Sequence, residues 1–130
     1  MTPPARGFTL LEVLVALAIF AVVATSVLAA SQRSLQIADQ LQLKSMAGWI
    51  AENRITELQL KRPTPGESRE SKVLEFGGHN WETLSEIEAT SDKGIRRVSV
   101  WVALKPERGG TEPVRERALR VVTGFLAVRK

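Results

Sequence analysis

Residues 7–30 read GFTLLEVLVALAIFAVVATSVLAA, and this stretch decides what kind of chain the rest must be. From Phe8 to Ala30 there are 23 residues and a single charge, Glu12, whereas 17 of the 18 basic and 13 of the 14 acidic residues lie from Ser31 onward. As a helix the run spans about 34 Å at ~1.5 Å per residue, which matches a hydrocarbon core of roughly 30 Å. One membrane crossing is therefore expected. Ahead of it stand Met1 to Gly7, a short polar leader with two prolines and one positive charge, Arg6. Basic residues stay preferentially on the cytoplasmic side, so Arg6 places the N-terminus in the cytoplasm and the remainder across the membrane. Small residues at Ala16, Ala18, Ala21, Ala24, Ser26, Ala29 and Ala30 allow neighbouring helices to approach closely.

Glu12 is the anomaly in this run. A carboxylate at the centre of a membrane helix costs about 2.5–3.5 kcal/mol on insertion scales. Glu12 lies only about 6 Å of rise past Phe8, so it can snorkel to the interface and gains from the positive end of the helix dipole. That explains why the residue is tolerated. It does not explain why glycine and phenylalanine precede it at this spacing.

At 130 residues and 14.3 kDa the chain holds one domain plus an appended element. Without cysteine there is no disulfide, no thiolate nucleophile and no zinc-thiolate site. His79, the single imidazole, follows Gly77-Gly78 in an expected turn and has no serine paired with it by any motif, so it reads as a solvated turn residue. Glu86 and Glu88 share one strand face and read as surface charge, with nothing apolar around them to separate an acid from a base. No catalytic residue, no cofactor and no metal ligand emerges. Residues 31–104 balance 10 basic against 10 acidic side chains, and the net charge of +4 sits after them, where 7 basic residues face 3 acidic ones. No aromatic residues are interleaved with Arg115, Arg117 and Arg120, as a stacking platform for single strands would need, so nucleic acid is not an expected partner.

The helical pattern continues past Ala30. Ser31 to Lys61 is free of proline, and Leu43, Met46, Ala47, Ile50, Ala51, Ile55 and Leu58 recur at spacings of three and four, which makes one apolar stripe. Lys44, Glu52, Arg54 and Lys61 fall mostly off it. Pro63, Pro65 and Gly66 end the helix. One helix from Phe8 to Lys61 would measure about 80 Å, more than so small a domain can bury, so its first half requires lipid or other chains. Leu35, Ile37, Ala38 and Leu41 add apolar surface that reads as an interface.

After Pro65 the period changes to that of strands. Lys72–Phe76 is expected to form a short strand, closed by Gly77-Gly78 with His79-Asn80 continuing the turn. Trp81–Ala89 is a second, and Ile95–Leu104, with Val98, Val100, Val102 and Leu104 alternating against Ser99, Trp101 and Ala103, is the clearest. Pro106–Pro113 reads as a hairpin loop and Val114–Val128 as its partner strand, kinked or bulged near Gly124. Together these predict an α+β unit, a helix laid on a small antiparallel sheet.

The motif Gly7-Phe8-Thr9-Leu10-Leu11-Glu12 resembles the class III signal of type IV prepilins and type II secretion pseudopilins. The resemblance implies that a prepilin peptidase cuts between Gly7 and Phe8 and N-methylates the new Phe8 amine. Glu12 supplies the negative charge that this amine lacks, and between staggered neighbours in a bundle its carboxylate can meet the Phe8 amine of another subunit, which makes it the expected residue of subunit assembly. The resemblance also implies a type IV pilin-like fold, with a transmembrane helix continuing into a periplasmic helix packed on the sheet. The expected divisions are a cleaved leader (1–7), a membrane helix (8–30), the periplasmic half of the long helix (31–62) and the sheet region (63–130).

A second resemblance lies in Ala47-Gly48-Trp49-Ile50-Ala51-Glu52-Asn53-Arg54, continuing through Glu57-Leu58-Gln59-Leu60. It is similar to the helix signature of the minor pseudopilin protein I of type II secretion, and Trp81, Arg96 to Val102 and Gly124-Phe125-Leu126 follow in that family's order. Relatives often carry a second tryptophan where this chain has Thr83. The family implies helix-signature and packing roles for Trp49, Ile50, Ala51, Asn53, Leu58 and Trp81, and both tryptophans also read as core anchors of the helix–sheet interface. It implies a non-enzymatic subunit at the tip of a periplasmic pseudopilus, partnered by minor pseudopilins J and K and by the G and H types, processed by prepilin peptidase and mounted on an inner-membrane assembly platform. Its place is the bacterial inner membrane, single-pass, with the C-terminal domain in the periplasm.

Three alternatives fit less well. Val27-Leu28-Ala29 loosely resembles a signal-peptidase site, but Glu12 interrupts the apolar run and the run exceeds the usual 7 to 15 residues. A minor pilin of a type IV pilus would often close its C-terminal loop with a disulfide, which this chain cannot form. A major pseudopilin typically binds calcium in an acidic C-terminal loop. Here that loop offers only Glu107 and Glu112, against the six to eight oxygens calcium takes.

Overall fold

The computed structural model describes Gly7 and Thr9–Lys130. Its longest element is α1 (Leu10–Leu60), 51 residues. Thr9 starts the helix: its hydroxyl accepts the Glu12 N–H at 3.2 Å and its carbonyl accepts the Val13 N–H at 3.2 Å, so a side chain satisfies one of the donors that a helix start leaves open. No proline interrupts α1, and Pro63 and Pro65 follow it directly. The chain divides after Gln40 into two compact units. In the first, every described side chain is exposed.

The second unit holds the rest of α1 and four strands, β1 (Ser68–Phe76), β2 (His79–Ala89), β3 (Ile95–Leu104) and β4 (Arg120–Ala127), joined in chain order into one antiparallel sheet. Between β1 and β2 the chain reverses in two residues, Gly77 (φ 59°) and Gly78 (φ 78°). Both occupy the left-handed region that a primed hairpin turn requires and that glycine alone enters at little cost. His79 pairs with Phe76 and Asn80 with Glu75, so these two residues open β2 rather than prolong the turn. β1 likewise begins at Ser68 rather than Lys72. Its first four residues are polar and lie on an edge strand, where hydrophobic alternation gives no sign of the pairing.

One face of the sheet is the core. Trp81, Thr83, Ser85 and Ile87 of β2 are buried alternately with half-exposed neighbours, and the register sets them beside Val98, Val100 and Val102 of β3. From α1, Ala47, Ile50, Ala51, Ile55 and Leu58 pack onto them, together with Leu126 of β4. Each large aliphatic side chain withdrawn from water contributes about 1.5–3 kcal/mol, so burial rather than polar contact fixes the helix to the sheet. Arg54, expected off the stripe, lies on it and is 5% exposed. Trp49, expected as a core anchor, is 64% exposed. The helix turns about 100° per residue, which carries position 49 far around from Ala47 and Ala51, and Asn53 is exposed as well.

The last segment also differs from the expected single strand. A short helix α2 (Val114–Arg117) precedes β4, with Ala118 extended between them. Gly124 makes no bulge: it pairs in register with Val98. Its missing side chain has another cause, because a Cβ there would stand 3.0 Å from Ile55 Cγ2.

The segment around α2 lies across the outer face of the sheet. The Arg115 guanidinium sits 4.4 Å above the Trp101 ring and pairs with Glu86, which also accepts from Arg69 at 3.0 Å. Arg117 pairs with Glu82 and donates to the Leu104 carbonyl at 2.5 Å. The Leu119 N–H donates to the Val102 carbonyl at 2.8 Å. Glu86 thus belongs to an ion-pair ladder that holds this strap in place.

Candidate functional site

The site begins at Gly7, which is exposed and outside the helix. Phe8, expected to begin the mature chain, lies outside the described residues. Glu12 occupies the third position of α1, three residues after the capping Thr9, where a carboxylate faces the positive end of the helix dipole. Thr9 was not singled out by sequence reading, although Thr-x-x-Glu before an apolar run is a helix-start signature. Glu12 is exposed, and among the described residues no cation lies within 4 Å of it.

Beside this carboxylate runs a shallow groove of about 570 Å³, lined by Glu12, Val13, Ala16, Leu17 and Phe20. Ala16 stands one turn past Glu12 and is small, so the groove leaves room along the helix between larger neighbours. The surrounding surface is apolar and uncovered, with Phe20 70% exposed. Of the described elements, α1 alone is long and apolar enough to cross a membrane. Its hydroxyls fit that environment. Thr25 Oγ1 donates to the Ala21 carbonyl at 2.9 Å and Ser26 Oγ to the Val22 carbonyl at 2.7 Å, so neither presents an unsatisfied donor to lipid.

In the second unit the signature residues separate into two groups. Ile50, Ala51 and Leu58 are buried against the sheet, and Trp81 is fully buried with its indole N–H donating to the Phe76 carbonyl at 3.0 Å. Trp49 and Asn53 instead line a groove of about 540 Å³ between α1 and the edge strand β1, with Val73, Phe76 and Thr83 among its walls. At the inner side of this groove Arg54 donates to Glu57 at 2.9 Å, to Glu70 at 2.5 Å and to Ser85 at 3.4 Å. The helix period marked the stripe but gave no reason to expect a buried cation on it. His79 packs edge-on against Trp81, with ring centroids 6.2 Å apart. Among the described residues no group of three or more His, Asp or Glu side chains is placed to hold a metal ion.

A capped apolar helix with a carboxylate in its first turn, leading into a helix packed on an antiparallel meander, defines a membrane-anchored, single-pass subunit of the pilin-like class. Residues 3–28 match the prokaryotic N-terminal methylation motif, and residues 41–127 match the model of type II secretion system protein I. The chain is 55% identical over 125 residues to the type II secretion system protein I of Pseudomonas aeruginosa, covering 94% of this chain and 95% of that one. It is 32% identical to the protein of the same name from Aeromonas hydrophila, over 79% of this chain and 87% of that one. With the Escherichia coli protein I it shares 36% identity over 76% and 80% of the two chains. The chain belongs to the type II secretion system protein I family, and is therefore a pseudopilin.

Proposed function

We propose that this chain is a minor pseudopilin at the tip of the periplasmic pseudopilus, joining J- and K-type siblings to initiate its assembly and support export of folded proteins across the outer membrane. Prepilin peptidase removes residues 1–7 by cutting between Gly7 and Phe8, then methylates the Phe8 amine. The C-terminal domain stands in the periplasm and the processed helix in the inner membrane, from which the assembly platform draws it into contact with its siblings, G and H types included. The role is structural, without catalysis.

The observation that carries the assembly step of this reading is Glu12, a carboxylate in the first turn of an apolar helix with no cation beside it among the described residues. Attraction between opposite charges strengthens as the surrounding dielectric falls, and an unpaired charge in that setting is strongly unfavourable. The α-amine released at Phe8 of an adjacent subunit supplies the missing partner, and the groove past Ala16 gives the adjacent helix a place to lie. Glu12 thereby sets the axial register between neighbours. Glu12→Ala tests this: membrane insertion persists or improves, while co-purification with sibling pseudopilins and exoprotein secretion fall. Unchanged co-purification and unchanged secretion would contradict the pairing.

A further inference from the structure

Beyond the C-terminal end of α1, three chain segments are tied into one knot. The Thr64 N–H donates to the Arg129 carbonyl at 3.0 Å, and the Thr64 hydroxyl donates to the Ala127 carbonyl at 2.9 Å and accepts the Arg129 N–H at 2.8 Å. The Arg96 guanidinium donates to the carbonyls of Thr64 at 3.2 Å and Pro65 at 2.6 Å. The Val128 N–H donates to the Gly94 carbonyl at 2.8 Å. Residues 61–67, 90–96 and 127–130 are therefore held together by two backbone hydrogen bonds and by the Thr64 and Arg96 side chains.

This knot displays Lys61, Arg62, Lys93, Arg129 and Lys130, all exposed. None of the five has a carboxylate within 4 Å among the described residues. The same segments carry two acidic side chains, Glu67 and Asp92, and Asp92 Oδ1 already accepts the Gly94 N–H at 2.8 Å. Elsewhere Arg54 of α1, Arg69 and Arg97 of the sheet, and Arg115 and Arg117 of α2 each face a glutamate. Arg33, Lys44, Lys105, Arg108 and Arg120 likewise have no carboxylate within 4 Å among the described residues, but they do not share three cross-tied segments as the five at the knot do.

Like charges crowded on one surface repel one another in the free protein, and an oppositely charged partner removes that cost while steering the encounter. The cross-ties hold the segments that carry these charges in place before binding, so less backbone ordering is required on association. Two other polyanions fit less well. Single-stranded nucleic acid requires aromatic faces for stacking, and basic surfaces that settle on membranes add aromatic or large apolar residues that sink among the headgroups. The three segments contain no aromatic residue, and their large apolar side chains are two, Ile95 and Val128, 39% and 38% exposed. We propose that this knot is a docking face for an acidic protein surface.

Site-specific photo-crosslinking tests it on the full chain in its native membrane, with the photoreactive residue replacing Arg62 and a control replacing Lys105. The expected adduct, identified by mass spectrometry of the crosslinked peptide, is a protein segment rich in Asp and Glu. Its yield falls about tenfold when Lys61→Glu, Lys93→Glu and Arg129→Glu are combined, the scale expected when several complementary charges are reversed. The milder pair Lys61→Gln and Lys93→Gln reduces it in the same direction without introducing new charge. Adducts to lipid, a crosslinked protein segment without acidic character, a yield unaffected by charge reversal, or no adduct above the Lys105 control would overturn the assignment. An acidic partner from outside the secretion machinery would support the docking face equally, since the sibling contacts proposed above rest on Glu12 and α1.

Discussion

Gly124 of β4 lies directly beneath Ile55 of α1, so close that a Cβ at 124 would stand 3.0 Å from Ile55 Cγ2 and 3.8 Å from Val98 Cγ1. The helix reaches the sheet over this strand because the strand presents no side chain there. Gly124→Val therefore overpacks the interface and lowers stability by about 1–3 kcal/mol, read as a fall in thermal midpoint. Adding Ile55→Ala removes the opposing methyl groups and recovers part of the loss. If Gly124→Val alone melts like the parent, the close approach is not what the position requires.

Arg54 sets up an asymmetry that thermal melting can detect. Its guanidinium is buried, whereas its partners Glu57 and Glu70 remain about half exposed, at 53% and 48%. Arg54→Leu leaves two carboxylates that water can still reach and keeps an apolar side chain in the core. Glu57→Gln with Glu70→Gln strands a buried cation, a situation that costs about 3–5 kcal/mol when a buried pair is broken. The double glutamine variant is expected to melt well below Arg54→Leu, and the reverse order would contradict this view of the pair.

The two tryptophans of the family signature are expected to respond in opposite ways. Trp81→Ala empties a fully buried position and costs about 3–5 kcal/mol. Trp49→Ala removes an exposed ring and changes stability by no more than about 0.5 kcal/mol. A large loss of stability from Trp49→Ala would show that its exposure misrepresents its role.

Much of the fold was legible in the sequence, for reasons that particular residues make plain. The apolar run from Phe8 to Ala30 and the stripe from Leu43 to Leu58 declare α1, because a long helix writes its period many times over. Ile95–Leu104 declares β3 by strict alternation. The first residues of β1 were hidden, since Arg69, Glu70 and Ser71 sit on an edge strand and their pairing opposite Leu84, Ser85 and Glu86 depends on no apolar pattern. The α2 strap was hidden for a related reason: what holds it is Arg115 over Trp101 and Arg117 on Glu82, contacts between residues distant in sequence. Trp49 misled because side-chain type suggests burial and only its angular position on the helix denies it. At the N-terminal site the residue types are readable from Gly7 to Glu12, and the cap supplied by Thr9 is written there too, as Thr-x-x-Glu ahead of the apolar run.

The central claim is that cleavage after Gly7 frees the amine which Glu12 of an adjacent subunit neutralises. Mass spectrometry of the chain recovered from membranes of a secreting cell tests it most directly. A chain beginning at N-methylated Phe8 is the predicted result, with Gly7→Arg leaving the uncut precursor. A membrane-bound chain that retains Met1, or one that begins near Ala30, would contradict it.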